Sequence, residues 1–341
     1  VAAWDGERWS EPRRLSYSFA HPEMATQVYI SNLQVALAGL PERSSEGSSD
    51  KALIVAGSDL EGDVWVTSRQ MGTLELLFAP LPPWSAPLDF AQREEIPGVP
   101  VVVSDPEGLL HVLWADAPER DESVSALMYA RRDETGSSND SEALWTSPTT
   151  VFRSVGGEVA QPALILTDER LHAVWRGGQN AEIFYSQAFV KEAFLATGGW
   201  NDAQPLSAPG VLASWPDIAA DSGGTLHVVY AVRINEGRGI YYTRSEDGVN
   251  WSEARQIFDA GGAGWAMSDY PRLAVDTDGT IHVVWLHTTP LGSGMTVGIY
   301  YTHSVDGAET WSEPLEIVEG DYAWPQITTN SAGTVQMLWN E

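Results

Sequence analysis

The sequence predicts an all-β fold, a six-bladed propeller of four-stranded antiparallel blades, on the strength of two repeated units. The first is strand, tight turn, strand: Gly239-Ile-Tyr-Tyr-Thr-Arg-Ser-Glu-Asp-Gly-Val-Asn-Trp251 returns as Gly298-Ile-Tyr-Tyr-Thr-His-Ser-Val-Asp-Gly-Ala-Glu-Thr-Trp311. Its end opens the chain at Trp4-Asp5-Gly6-Glu-Arg-Trp9, with looser echoes at Trp84, Trp145 and Trp200. The second unit is a short apolar strand, a turn and another strand, as in Pro216-Asp-Ile-Ala-Ala-Asp221-Ser-Gly-Gly-Thr-Leu-His227-Val-Val-Tyr230. Repetition at this period marks a propeller, solenoid or array and outranks any local reading.

Each element has a local reason. Ile240 to Thr243 are β-branched or aromatic, as a half-buried strand requires. Asp247-Gly248 supplies turn chemistry, because Asp bonds its own backbone and Gly tolerates positive φ. Relatives of the second unit begin at Pro100, Pro162, Pro271 and Pro325, and end at Trp114, Trp175, Trp285 and Trp339. The sixth relative is degenerate, with Leu33–Ala38 and Ala52–Ala56 as strands around a Ser/Glu/Gly-rich loop, Pro41–Asp50. In blade order A to D, the second unit gives strands A and B and the first gives C and D. Ala181–Thr197 alone has a helix-tolerant composition, and its Ile183-Phe-Tyr-Ser186 matches a C strand.

The chain begins with the turn and D strand of a blade, Asp5–Leu15, and ends after a B strand, at Trp339-Asn-Glu341. The two ends are therefore expected to complete one blade and close the ring, making residues 1–341 a single propeller. The join is short, so that blade is expected to have a poor or missing C strand. The tryptophans Trp9, Trp251 and Trp311 are expected to pack beneath their own hairpins.

Cysteine is absent, which excludes disulfides, thiolate metal sites and cysteine nucleophiles. The formal charge of −28 repels nucleic-acid phosphates and anionic lipid, so neither nucleic acid nor membrane insertion is expected. No apolar run reaches membrane-spanning length. An extracellular or periplasmic setting is expected, with other domains of a longer native chain as candidate partners.

Ser245-Glu-Asp247-Gly248-Val-Asn-Trp251 and Ser304-Val-Asp306-Gly-Ala-Glu-Thr-Trp311 resemble the Asp-box, or bacterial neuraminidase repeat, of sialidases and related six-bladed propellers. The family pattern is Ser-x-Asp-x-Gly-x-Thr-Trp; the first copy is one residue short and the second has its Gly one place early. The resemblance covers nearly all the chain and implies architecture more than activity, since Asp boxes lie on the face away from the sialidase active site. Sialidases also carry an Arg-Ile-Pro stretch, three arginines for a substrate carboxylate, an Asp acid/base and a Tyr nucleophile helped by Glu. Arg-Ile-Pro does not occur here, and the sequence assigns no Tyr–Glu pair.

Three constellations remain. His111, His172, His227 and His282 repeat at one position of strand B, and a hydrogen bond within or between blades accounts for them better than a metal. Asp276-Thr-Asp278-Gly279 and Asp105-Pro-Glu107-Gly108 have the look of calcium loops but lack the closing Glu, and they fit hairpin turns; no metal or cofactor is expected. Trp215-Pro216, Tyr270-Pro271 and Trp324-Pro325 fall where the chain enters strand A. Topology places Trp215, Asp217, Tyr270, Arg272 and Trp324 at one channel mouth with Asp116, Arg176, Arg233 and His287. These nine are the candidate ligand-binding residues, since aromatic platforms with a few polar groups suit a sugar and three arginines suit an anionic group. The expected function is a non-catalytic module that binds a glycan or a protein there; the alternative is a glycoside hydrolase of sialidase type.

Overall fold

In the computed structural model, residues 100–116, 124–132, 145–289, 296–330 and 333–339 are described with their side chains, and residue 340 and five strands before residue 100 by their backbone. The described residues contain strands and turns and no helix. Five sheets have four antiparallel strands each: Asn32–Gly39, Lys51–Ser58, Val64–Met71 and Leu88–Ala91 (β2–β5); Val101–Ser104, Leu110–Asp116, Val124–Arg131 and Thr149–Val155 (β6–β9); Ala160–Thr167, Arg170–Gly177, Glu182–Phe189 and Gln204–Pro205 (β10–β13); Ala213–Ala220, Leu226–Val232, Gly239–Ser245 and Arg255–Asp259 (β14–β17); and Met267–Val275, Ile281–Thr288, Thr296–Ser304 and Leu315–Glu319 (β18–β21). A sixth sheet has the order β1-β23-β22, from Ala2–Trp4, Val335–Asn340 and Ala323–Thr329.

Both repeated units therefore form the hairpins read from them. The degenerate pair forms as well, with Leu33 opposite Gly57 and Ala38 opposite Ala52. In the sixth sheet Ala2 pairs with Met337 and Trp4 with Val335. The third strand expected to be poor or missing is thus three residues long and comes from the N-terminal segment. Asp5–Leu15, Trp9 and Pro41–Asp50 lie outside the described residues.

The chain divides into two compact units. One comprises residues 1–17, 173–186 and 203–341, the other residues 18–172 and 187–202. In the first, sheets stack face to face. Val229, Ile240, Leu273, Val283 and Trp285 form one core, and Val284, Leu286, Ile299, Tyr301 and Met337 form the next. The second strands are buried on both faces, as in β15, whereas the fourth strands β17 and β21 are exposed or half-buried. In the second unit Trp114, Leu113, Leu127 and Tyr129 are fully buried.

The strand-B histidines tie each hairpin together. His227 Nδ1 lies 2.7 Å from Tyr242 Oη, and Nε2 lies 3.5 Å from Asp221 Oδ2. His282 repeats this with Tyr301 at 2.8 Å and Asp276 at 3.2 Å, and His111 with Tyr129 at 2.7 Å and Asp105 at 3.4 Å. In His282 and His111 the carboxylate accepts from Nε2–H, so Nδ1 accepts from the tyrosine hydroxyl, whereas the buried His227 Nε2 faces Asp221 at 3.5 Å without a hydrogen bond. Each aspartate spends its other oxygen on its own turn: Asp221 Oδ1 accepts from Gly223 and Thr225 N–H, both at 2.8 Å. The turns that look like calcium loops are thus hairpin turns whose carboxylates are committed to backbone and histidine. His172 differs, with Thr167 Oγ1 at 2.7 Å from its Nε2.

The tyrosines carry the link onward. Trp251 packs edge-on against Tyr185 (centroids 4.8 Å apart), Trp311 against Tyr242 (5.4 Å) and Trp200 against Tyr129 (5.5 Å). This corrects the expectation that Trp251 and Trp311 sit beneath their own hairpins: both cross to the strand-C tyrosine of the preceding sheet and stay half-buried. Among the described residues the fully buried tryptophans are those of strand B, Trp114, Trp175 and Trp285.

The Asp-Gly turns cap themselves. Asp247 Oδ1 accepts from Val249 N–H at 2.8 Å and Asn250 N–H at 2.7 Å, and Ser245 Oγ accepts from Gly248 N–H at 2.9 Å. These bonds hold the Asp247 carboxyl well below the usual range, and similar ones from Thr310 and Ser304 bring Asp306 to about 2.

Three outcomes follow for stability. Trp285→Ala should cost about 3–5 kcal/mol, and Trp251→Ala clearly less, in denaturant titrations. Tyr242→Phe orphans the buried Nδ1 of His227 and should cost about 1–3 kcal/mol. Burial lowers the pKa of His227 and His282, and brings His172 to about 4. A depressed histidine stabilises the fold fully above its unfolded value of about 6.5, and that contribution is lost as pH falls through the folded value. The unaltered protein should therefore lose midpoint relative to His172→Gln between about pH 6.5 and 4, a comparison in which the opposing gain from Asp269, raised to about 6, cancels. For His172 the loss is on the order of 3 kcal/mol, at about 1.4 kcal/mol per tenfold change in proton affinity. A difference between the two proteins that stays flat over that range contradicts a buried, depressed His172.

Candidate functional site

The first strand of successive sheets carries the same irregularity. Trp215, Tyr270 and Trp324 have φ of 52°, 50° and 57°, and each precedes a proline. Gln161, before Pro162, has φ 56°. The pairing register shifts at each aromatic: between Ser214 and Asp217, Asp269 and Arg272, and Ala323 and Gln326. Left-handed backbone is costly for a bulky residue, about 1–3 kcal/mol each, and is held only where surrounding structure enforces it. A bulge re-aims its side chain, and here all three bulges aim an aromatic at the same place.

The three rings meet. Trp215 lies 3.9 Å from Tyr270 and 5.9 Å from Trp324, and Tyr270 lies 5.0 Å from Trp324, the last contacts being edge-on. Trp215 and Tyr270 are half-buried and Trp324 is 38% exposed, so the cluster keeps an open aromatic surface.

Charged groups lie against it. Arg233 Nε sits 2.7 Å from Asp269 Oδ2, with the aspartate side chain 1% exposed and the arginine side chain 35% exposed. Burial raises Asp269 to about 6, even though Arg233 and the Tyr270 N–H at 3.1 Å favour its charged form. Burial also raises the Tyr270 phenol, with Asp269 adding to the effect and Arg233 and Arg272 opposing it. Arg272 donates Nη1–H to the Pro271 carbonyl at 2.9 Å, and its charge acts on both Asp217 and Asp269. Asp217 is half-buried as a residue, but its carboxylate is turned into protein: Oδ2 accepts from Leu273 N–H at 2.9 Å, tying β14 to β18. Desolvation raises its pKa against the pull of Arg272.

Six of the nine residues anticipated from sequence thus come together: Trp215, Asp217, Arg233, Tyr270, Arg272 and Trp324. His287 is in the same unit, stacked on Trp265 at 3.9 Å and 7°. Arg176, next to last in β11, is half-buried and engaged by neighbouring groups. Asp116, buried at the end of β7, belongs to the other unit. Asp269 was not anticipated, although it directly precedes Tyr270. Only the bulge, which changes the facing of residues around Tyr270, puts its carboxyl at the rings.

A Tyr–Glu pair, unassignable from sequence, is present between the outer strands: Tyr300 Oη donates to Glu316. Burial first, and that carboxylate next, push Tyr300 up to about 12. A cavity of about 420 Å³ lies in the other unit, lined by Asp105, Leu109, Arg131, Asp168, Phe189 and Lys191 among others. Its Asp105 is already bonded to Glu107, Leu109 and His111, so the bulged aromatics, with an open surface and a perturbed carboxyl, are the better candidate.

No family model matches this sequence, and no curated protein matches it. Solved structures do. An α-L-arabinofuranosidase of Fusarium graminearum, in complex with an iminosugar inhibitor, aligns over 90% of this chain and 85% of its own with a TM-score of 0.54 and 14% identity. The intramolecular trans-sialidase of Ruminococcus gnavus aligns over 91% and 90%, with a TM-score of 0.51 and 10% identity. A protein of unknown function from Dyadobacter fermentans aligns over 84% and 79%, with a TM-score of 0.52 and 13% identity. At these identities the likeness is one of fold, of the β-propeller type.

The Asp269–Arg233 pair makes a direct test of this geometry. Arg233→Met removes the cation that opposes burial, so Asp269 should titrate above about 6, read by carbon-13 carboxyl shifts. A value unchanged or lowered contradicts the pairing.

Proposed function

We propose that this chain is a carbohydrate-active six-bladed propeller whose site lies at the Trp215, Tyr270 and Trp324 bulges and whose chemistry is of the glycoside-hydrolase type. The observation that supports it is the convergence of three aromatic rings on a buried carboxyl group that holds its proton to about pH 6. Sugar rings have apolar faces that pack on aromatic surfaces, and a few polar groups beside them fix orientation. Asp269 is the candidate general acid. A carboxyl with a pKa near 6 keeps part of its protons near neutrality and can deliver one to a departing glycosidic oxygen. Arg233, 2.7 Å away, then stabilises the carboxylate that remains.

The finer architecture belongs to the same proposal. β1 takes the third position beside β22 and β23, and the ring closes with six blades over residues 1–341. The turns at Asp247 and Asp306 are Asp-boxes, a reading supported by the Ser–Asp self-capping.

A second reading, recognition of a glycan or protein without turnover, is favoured by one observation. Glycoside hydrolysis usually needs two carboxylates, and Asp217, the other one in the cluster, has an oxygen committed to Leu273 N–H. Release of reducing sugar from a glycan panel, run beside binding calorimetry, separates the two. The hydrolase reading expects turnover in the unaltered protein, lost about 10²–10⁴-fold in Asp269→Asn with binding retained. Trp324→Ala should weaken binding roughly tenfold if one aromatic face is worth about 1.4 kcal/mol. Binding without turnover selects the second reading, and absence of any glycan binding removes carbohydrate from both.

A further inference from the structure

We propose that the ligand of the aromatic site is an uncharged sugar, selected against acidic sugars because the site's own carboxylates already occupy its arginines. The inference rests on the carbohydrate reading above and names the substrate class within it.

A site that receives a sugar carboxylate needs a guanidinium whose fork is open to it, since bidentate pairing supplies both energy and orientation. Arg233 has its Nε edge taken: Nε lies 2.7 Å from Asp269 Oδ2, and that carboxylate is almost wholly buried, so the pair is built into the wall of the site. Arg272 turns an Nη1–H back onto the carbonyl of Pro271, and its charge is shared between Asp217 and Asp269. Arg176 is also engaged by neighbouring groups. Two guanidinium groups and two carboxyl groups thus stand together beside the three rings. Neither sign dominates locally.

An acidic ligand that paired with the Nε edge of Arg233 would displace Asp269 and leave a buried carboxyl without its partner. That cost is absent for a neutral ring laid on Trp324 and Tyr270. The protein's formal charge of −28 adds a long-range field that disfavours anions approaching any face. The open surface is aromatic, and an uncharged ring with hydroxyl groups meets apolar faces there with hydrogen-bonding groups at the margin.

Calorimetry with matched oligosaccharide pairs tests this, each pair differing only in a carboxylate, such as tetragalacturonate or sialyllactose beside the form of each whose carboxyl has been reduced to –CH2OH. In any pair that binds, the neutral member should bind at least about tenfold tighter. Its affinity should be insensitive to salt over about 0.05–0.5 M. Trp324→Ala should weaken that binding, which places it at this site. Asp269→Asn frees Arg233 and should move the preference toward the acidic member. Tighter binding of the acidic member by the unaltered protein overturns the inference while leaving the carbohydrate reading intact, as does neutral binding indifferent to Trp324→Ala. If no member of any pair binds, the carbohydrate reading fails and the inference falls with it.

Discussion

The buried Asp–His–Tyr contact is what the rest of the structure depends on. In three sheets a histidine of the second strand takes a hydrogen bond from a third-strand tyrosine and turns its other nitrogen to the aspartate of the preceding turn, bonding it in two of them. Three strands and a turn are thereby linked through one side chain. Each member alone is a liability in a core, and together they partner one another. The tyrosine then presents its ring edge-on to a tryptophan from the next sheet in two of the three cases within reach of description, Tyr129 to Trp200 and Tyr242 to Trp311. Register within a sheet and contact between sheets are set by the same residue.

That division of labour explains where the candidate site sits. The turn, histidine and hairpin ends stabilise the sheets, so their polar groups are consumed. Asp105, Asp221 and Asp276 bond backbone N–H groups with one oxygen and face histidine with the other. The first strands are different. Their aromatic-proline bulges depart from the sheet register and hold backbone conformations that a plain strand has no need of. Strain of this kind, repeated at equivalent places and converging on one cluster, is what makes these bulges the candidate site.

Much of this was legible in the sequence. The repeat gave the sheets, their strand order and the degenerate pair at Leu33–Ala38, because hydrophobic alternation and Asp-Gly turns are local properties. The aromatic-proline dipeptides were visible for the same reason, and six of the nine residues around them do assemble. The partners were not legible. Trp251 looks from sequence as if it serves its own hairpin, yet its neighbour is Tyr185, far back along the chain. Tyr300 and Glu316 are separated by a turn and meet only through strand pairing.

The sequence by itself determined an all-β chain of repeated antiparallel sheets, the places of its turns and the aromatic residues at its strand starts. These follow from side-chain periodicity and backbone preference, which act over a few residues. Only the tertiary structure decided which groups face each other. It turned Asp269 toward Arg233, tied Asp217 to the next sheet and left Trp324 open. Burial and distance set those outcomes, and both depend on segments remote in the chain: the same carboxyl that would be an ordinary acid in a strand becomes a group that titrates near 6 once a neighbouring sheet covers it.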